Sequence, residues 1–133
     1  MQLPTTPSFR LDGRRALVTG AGRGIGLAAA AALADAGAHV TLVARSAEEI
    51  DAGAEGIRAR GGSAEAVALD VTDLDGFARL AANGEPYDVF FNNAGTNRLK
   101  PALEMTEEDW DTIVDTNLKG LFFLTQAVAR GMI

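Results

Sequence analysis

Cysteine is absent from the 133 residues, and tyrosine and tryptophan occur once each. Without cysteine the chain can form no disulfide and offers no thiolate ligand for zinc. Its apolar runs stay below the roughly 18 residues that a membrane helix needs, and the N-terminus lacks the apolar core of a signal peptide. We therefore predict one cytoplasmic domain without disulfide, bound metal or membrane contact.

The net charge is −6, and the acidic residues are concentrated in the second half of the chain. This balance disfavours a nucleic-acid-binding surface. Six carboxylates lie close together in one segment, and an acidic binding patch is one interpretation of them. The interpretation we favour is a solvent-exposed first helical turn that complements the helix dipole. The six residues are Glu104, Glu107, Glu108, Asp109, Asp111 and Asp115.

Short apolar runs alternate with helical patterns along the chain, which predicts the order β-α-β-α-β-α-β-α. This alternation is typical of a parallel sheet with helices on both faces, a three-layer α-β-α arrangement. Capping boxes are predicted at Ser46 with Glu49 and at Thr106 with Asp109. The predicted strands are 15–19, 39–44, 64–69 and 88–92, and the predicted helices are 25–35, 46–60, one from about 72, and one from 107 to the C-terminus.

Glycine is concentrated in the turn after the first predicted strand, where residues 19–26 are TGAGRGIG. The spacing is T-G-x-x-x-G-x-G and does not fit G-x-G-x-x-G. Glycines allow positive φ and let a backbone approach a pyrophosphate, while the N–H groups of the following helix point at the anion. This pattern predicts a dinucleotide phosphate site, with a simple tight turn as the alternative.

Two further motifs follow later strands, namely Asp70-Val71 after the third and residues 92–95, Asn-Asn-Ala-Gly, after the fourth. Open α/β sheets bind ligands at the carboxyl ends of their strands, so three motifs are predicted to meet at one edge. Together they resemble the short-chain dehydrogenase/reductase family, in its non-extended subgroup. The resemblance extends from about Phe9 over nearly the whole chain.

The resemblance implies a Rossmann-like doubly wound parallel sheet with the strand order 3-2-1-4. It also implies that the glycine loop surrounds the dinucleotide phosphates and ribose. The carboxylate of the second motif would accept from the adenine amino group, and the third motif would form the turn beside the adenosine ribose and the nicotinamide side. The implied cofactor-binding residues are Gly20, Arg23, Gly24, Ile25, Gly26, Asp70, Val71, Asn93, Ala94 and Gly95.

One catalytic position is also implied, because Asn117 matches the Asn of the family's Asn-Ser-Tyr-Lys tetrad. In the family this residue holds, through the helix backbone and a water, the proton relay behind the Lys. Thr19 and Asn92 match positions that tie neighbouring strands together. Asn117 is therefore predicted to be catalytic, and Thr19 and Asn92 to be structural.

Arg45 favours NADP over NAD as the cofactor. An NAD site places Asp or Glu at the end of the second strand to bind the ribose 2′-hydroxyl, but this chain has Ala44 followed by Arg45. A carboxylate repels a 2′-phosphate, whereas a guanidinium can bind it with two parallel hydrogen bonds. Arg23 supplies a second candidate cation. The alternative is that both arginines are simply exposed to solvent.

The catalytic Ser and the Tyr-x-x-x-Lys of the family have no counterpart. Tyr87 is followed four residues later by Phe91, and no Ser follows Ser63. We therefore predict that residues 1–133 are the N-terminal part of a longer chain, with the sheet cut after four strands. This part would carry the NAD(P)-binding site and be inactive by itself.

The resemblance implies an oxidoreductase that transfers hydride between a nicotinamide and a carbonyl or secondary alcohol. Sugar acids, polyols and ketoacyl compounds are the implied substrate types. Arg98 and Lys100 are the basic residues of the loop after residue 95, where they would attract a carboxylated substrate. A solvated loop is the alternative.

The apolar stripe of the helix from 107 to 133 resembles the helix of the family's dimer contact, so we expect a homo-oligomer, a dimer or tetramer. Two other functions remain open from the sequence. One is a catalytically inactive nucleotide-binding module. The other is an interaction fragment that docks on a partner through its long C-terminal helix.

Overall fold

Four parallel strands form a single sheet in a computed structural model that describes all residues, 1–133. The strand order is β3-β2-β1-β4, which confirms the predicted order. β1 is central, with β2 on one side and β4 on the other, and β3 and β4 lie at the edges. The strands are β1 (Arg15–Thr19), β2 (His39–Ala44), β3 (Ser63–Ala68) and β4 (Val89–Phe91).

Five α-helices accompany the sheet, and none of them combines the length and apolar character that a bilayer crossing requires. The predicted single helix from 107 to the C-terminus is wrong in one respect, because a π-helical segment, Asp115–Gly120, divides it. The Asn92 amide donates to the Leu121 carbonyl at the end of this segment at 2.9 Å, and side chains bonded into a helix backbone accompany such irregularities. The helices are α1 (Gly24–Asp35), α2 (Ala47–Ala59), α3 (Leu74–Ala82), α4 (Glu107–Val114) and α5 (Leu121–Met132).

One face of the sheet is covered by α1 and α2. Alanines supply the buried positions of α1, including Ala30 and Ala34, so this helix lies close to the strands. Val40 and Leu42 of β2 meet Ile50 of α2 in the same cluster. Since burial of apolar area is the main favourable term in folding, this face supplies much of the stability that holds the glycine loop in place.

The opposite face packs against α3 and α5. Leu17 of β1 and Val43 of β2 point to this side and contact a cluster that contains Phe77, Tyr87 and Leu124. The neighbours of these residues along the strands point to the other face, as the two-residue period of a strand requires. The predicted three-layer α-β-α arrangement is therefore confirmed.

Tyr87 lies in this second cluster and is 3% exposed. Its hydroxyl donates to the Thr41 hydroxyl at 3.2 Å, and the Arg15 guanidinium stands 4.5 Å above its ring. We expect Tyr87→Phe to lower the free energy of unfolding by about 1 kcal/mol, the usual net value of one buried hydrogen bond. Urea unfolding measures this loss, and a Tyr87→Phe protein as stable as the wild type would contradict it.

The two predicted capping boxes differ in the structure. At the start of α4 the box is complete, because Thr106 accepts from the Asp109 N–H while the Asp109 carboxylate accepts from the Thr106 N–H. At the start of α2 only half forms, since Ser46 accepts from the Glu49 N–H at 3.3 Å without a return bond. The Glu49 side chain instead lies against Gly22 in the glycine loop.

Candidate functional site

A groove of about 1220 Å³ opens along the carboxyl ends of the strands, and all three sequence motifs contribute to its lining. The structure brings these motifs together as predicted. Gly24, Ile25 and Gly26 lie in the adjoining first turn of α1, and Asn117 follows the lining residues Asp115 and Thr116 in the chain without lining the groove itself. Of the predicted site residues, those that line the groove are Gly20, Arg23, Arg45, Asp70, Val71, Asn93, Ala94 and Gly95.

Two glycines leave the backbone of the loop no room for a side chain. Gly20 has a φ of 61°, and a Cβ there would lie 3.0 Å from the Ala94 Cα. A Cβ on Gly26 would overlap the Gly20 carbonyl oxygen and lie 2.8 Å from the Asn93 amide nitrogen. The first turn of α1 is therefore pressed against the end of β1, as the third glycine of a dinucleotide-binding turn requires.

The N-terminus of α1 has backbone donors without protein partners. Its N-cap is Arg23, whose side chain makes no capping bond, and the first turn contains no acidic residue. The first N–H groups of a helix lack acceptors within the helix, and together with the dipole they form an anion site. An uncapped turn beside glycines with no space for side chains fits a pyrophosphate well.

Polar contacts between β1 and the end of β4 hold the floor of the groove. The Thr19 hydroxyl is fully buried and accepts from the N–H groups of Asn93 and Ala94 at 3.0 and 3.1 Å. The Asn93 amide donates to the carbonyls of Thr19 and Gly20, each at 3.3 Å. The predicted structural role of Thr19 is confirmed, and Asn93 takes a similar one.

Asp70 presents a carboxylate at the end of β3. One of its oxygens accepts from the Thr72 N–H at 2.9 Å and from the Thr72 hydroxyl at 2.7 Å. The Thr72 N–H lowers the pKa of Asp70 most, its hydroxyl and the charge of Arg45 lower it further, and partial burial opposes them. Asp70 therefore stays ionised with its second oxygen able to accept a donor, while the Val71 side chain packs into the core.

Arg45 and Arg23 line the groove from the end of β2 and from the glycine loop, and both are exposed. Glu49 lines the same region, and its carboxylate lies 2.6 Å from the point where a Gly22 Cβ would stand. The sequence does not predict that Glu49 lines the groove, because its pattern assigns this residue to a capping box. The two arginines thus share this end of the groove with Glu49 and with the neighbouring carboxylate of Asp70.

Asn117 lies in the π-helical segment and binds a single backbone unit on the loop after β4. Its side-chain oxygen accepts from the Thr96 N–H, and its amide donates to the Thr96 carbonyl, both at 2.8 Å. Both polar ends of the side chain are therefore engaged. The Asn117 side chain fixes the backbone directly after Gly95, a contact across 21 residues that no local pattern predicts.

Lys100 and Asp109 form an ion pair with 2.5 Å between Nζ and Oδ2, which corrects two expectations. Asp109 is 7% exposed, so it does not belong to a solvated helical turn. Lys100 is neutralised by this partner and is not a free cation for a substrate. Arg98 has no ion pair, and its guanidinium folds onto the Thr96 hydroxyl and the Asn97 carbonyl at 3.3 and 3.2 Å.

The same ion pair predicts acid sensitivity. The Lys100 ammonium contributes most to lowering the pKa of Asp109 to about 2, followed by the N–H and hydroxyl of Thr106. A pKa lower in the folded than in the unfolded state stabilises the fold above the unfolded value, and the stabilisation is lost as pH falls through the folded value. We expect this contribution to disappear between about pH 4 and pH 2.

Urea unfolding at a series of pH values measures this loss in the wild type and in Asp109→Asn. The variant should show a shallower fall of stability over that range. Asp111→Asn is the matched control, since Asp111 is exposed and has no ion pair, and it should follow the wild type. If the stability of Asp109→Asn falls as steeply with pH as that of the wild type, the proposed role of this carboxylate is contradicted.

Four acidic residues line the groove on the side of α4. The sequence includes them in one possible acidic patch but favours a solvent-exposed helical turn. Three of them are spaced at i, i+4 and i+8, which places them on one helix face. The spacing predicts that these residues share a helix face, but it does not predict that the face lines a groove. The four are Glu107, Glu108, Asp111 and Asp115.

Comparisons with known proteins agree with this geometry. The family model for short chain dehydrogenases matches residues 14–133. The chain is 46% identical to gluconate 5-dehydrogenase of Gluconobacter oxydans, covering 94% of this chain and 50% of the relative. It is 44% identical to galactitol 2-dehydrogenase of Rhizobium johnstonii, with 94% and 50% covered.

A solved structure of a metagenomic short-chain oxidoreductase in complex with NADP superposes on this fold with a TM-score of 0.86. The two chains are 39% identical, and the match covers 92% of this chain and 57% of that one. The present chain spans about half the length of the curated relatives it matches. The family match covers the glycine loop, the groove and the helices around it, so the chain belongs to the short-chain dehydrogenase family.

Proposed function

We propose that this chain is the cofactor-binding part of an NADP-dependent oxidoreductase that interconverts a secondary alcohol and a carbonyl group. The observation that carries the proposal is the uncapped N-terminus of α1 beside Gly20 and Gly26. Backbone donors and close glycine contacts together suit the pyrophosphate of a dinucleotide better than they suit a simple turn. When bound, the nicotinamide would supply the hydride or accept it.

The basic residues at the end of the groove next to β2 support the choice of a cofactor with a 2′-phosphate. Arg45 would bind this group as a charged fork, and Arg23 would add a second cation from the loop. Asp70 would accept the adenine amino group on its free oxygen, since Thr72 occupies the other. The metagenomic relative in complex with NADP supports the same choice of cofactor.

We propose that Asn117 acts by positioning. Its contact with Thr96 holds the backbone next to Gly95, where the third motif borders the groove. Tyr87 is buried in the α3 and α5 cluster and does not line the groove, so it is unsuited to proton transfer there. The proton-transferring side chains would therefore come from further polypeptide, with residues 1–133 forming the N-terminal part of the functional protein.

Sugar acids and polyols are the proposed substrate class. The relatives named for gluconate and galactitol support it, and Arg98 supports an acid because it is the unpaired cation of the loop that borders the groove. We also propose association through the helices from 107 to 133. Trp110, Leu118 and Phe122 are 64%, 66% and 58% exposed there, so a second copy of the chain could cover them. The same exposed side chains support the second candidate function, a fragment that docks on a partner.

Turnover by the intact natural protein tests the proposal. Gluconate and galactitol are offered with NADP and with NAD, and nicotinamide absorbance reports the reaction. We expect reduction of NADP with at least one of the two substrates. Tight NADPH binding without turnover of sugar acids or polyols would favour the inactive module, and absence of binding to either cofactor would favour the docking fragment.

A further inference from the structure

The loop after β4, residues 96–105, forms part of the groove wall without containing a strand or an α-helix. It includes a 3₁₀ turn, Ala102–Glu104, and Leu99 and Leu103 on it are almost fully exposed. Such a segment buries little apolar surface of its own, so its position depends on polar contacts with its surroundings. Thr96 and Arg98 of this loop face the groove.

The loop is attached to the helices behind it at two separate points. Asn117 holds Thr96 through two hydrogen bonds of 2.8 Å, as described above. Lys100 reaches the same helical wall and meets Asp109 at 2.5 Å. These two contacts leave residues 97–99 as a short span between fixed ends.

Asp109 is well suited to hold Lys100. The side chain of Asp109 is 10% exposed, and that of Lys100 is 41% exposed, so solvent screens the pair less than it screens a surface ion pair. The accepting oxygen also takes the Thr106 N–H at 3.1 Å and the Thr106 hydroxyl at 2.8 Å. Because Thr106 is the N-cap of α4, Lys100 joins the groove loop to the fixed start of a helix.

We propose that Lys100 is a positioning residue that holds the loop and thereby places Arg98 at the groove for substrate binding. Lys100 itself does not touch the substrate in this arrangement, because Asp109 engages its ammonium. The part of the proposal that concerns substrate rests on the proposed function. The attachment of the loop is an independent structural consequence of the same pair.

Trypsin reports the attachment directly in the intact natural protein. The bond after Arg98 is cleavable, whereas the bond after Lys100 precedes Pro101 and resists trypsin, so Lys100→Met leaves the cleavable bonds of the loop unchanged. We expect Lys100→Met to raise the cleavage rate after Arg98 about tenfold through easier local opening. Cleavage after Arg15 in β1 requires global unfolding and should stay much slower than cleavage after Arg98 in both proteins, even where loss of the ion pair raises its rate.

Lys100→Arg keeps the charge and should restore the slow cleavage. Lys119→Met is the matched control, since Lys119 is the other lysine of residues 1–133 and is exposed without an ion pair. In turnover, Lys100→Met should raise the KM for substrate about fivefold while kcat and the NADPH Kd stay within about twofold, because the interaction lost is one of ground-state positioning.

Equal cleavage after Arg98 in Lys100→Met and the wild type would overturn the attachment. Cleavage after Arg98 that is no faster than cleavage after Arg15 would also overturn it, because the loop would then open only together with the whole fold. An unchanged KM in an active Lys100→Met enzyme would overturn the placement of Arg98. A wild type that neither binds NADPH nor turns over substrate would overturn the proposed function, and the trypsin result would still decide whether Lys100 holds the loop.

Discussion

Gly26→Ala is expected to lower the free energy of unfolding by about 3 kcal/mol and to weaken NADPH binding by more than about a hundredfold. The added methyl group would overlap the Gly20 carbonyl oxygen and lie 2.7 Å from its carbon. These are backbone atoms of the turn between β1 and α1, so the methyl group cannot be accommodated by rotating a flexible side chain. The turn itself must move, and with it the donors at the start of α1.

Gly56→Ala is the matched control for this substitution. Gly56 lies inside α2, is exposed, and has no neighbouring atom within 4 Å of an added Cβ. Alanine there should stabilise the protein by about 0.5 to 1 kcal/mol, the usual helix preference over glycine, and leave NADPH binding unchanged. Urea unfolding and calorimetric titration measure both effects, and a Gly26→Ala protein that binds NADPH normally would contradict the geometry of the loop.

Arg45→Ala is expected to raise the NADPH Kd by about tenfold to a hundredfold and to leave the NADH Kd within about twofold. Loss of a charged hydrogen-bonded pair costs about 1.5 to 3 kcal/mol, which corresponds to that range. NADH has no 2′-phosphate, so it makes no use of this guanidinium. The ratio of the two dissociation constants therefore isolates the contact from any general change in the protein.

Arg79→Ala controls for the change in net charge. Arg79 is exposed on α3 and does not line the groove, so its removal should alter neither dissociation constant at physiological ionic strength. An Arg45→Ala protein that loses NADH and NADPH binding equally would place this residue outside the 2′-phosphate site and would reopen the choice of cofactor.

The layer order and the groove were predictable because their signals are local. Apolar strands such as 39–44 end at a turn or cap, and the right-handed crossover rule fixes where each next strand lies. Glycine spacing in residues 19–26 carries its own steric reason, since only glycine fits where Gly26 meets the Gly20 carbonyl. Because the strands of a parallel sheet share one direction, the sequence also predicts that the three motifs after β1, β3 and β4 meet at one edge.

The contacts that tune the groove were not predictable from local patterns. Thr96 and Asn117 are 21 residues apart, and their pairing depends on how the π-helical segment turns that side chain. The sequence predicts a solvated capping residue at Asp109, because a capping box is a local pattern whereas the ion pair with Lys100 depends on the path of the loop. Glu49 was missed for a similar reason, since its neighbour Gly22 lies across the gap between α1 and α2.

Hydrogen exchange of the intact protein with and without saturating NADPH tests the central claim, that the dinucleotide lies along the carboxyl edge of the sheet. We predict slower exchange at residues 19–26, 70–72 and 93–96 when the cofactor is present, because the backbone donors of the loop and the turns beside the groove become hydrogen-bonded or covered. Exchange at residues 10–13 and 83–88, beyond the opposite ends of the strands, should not change. Protection confined to 10–13 and 83–88, or none anywhere at saturation, would contradict the account.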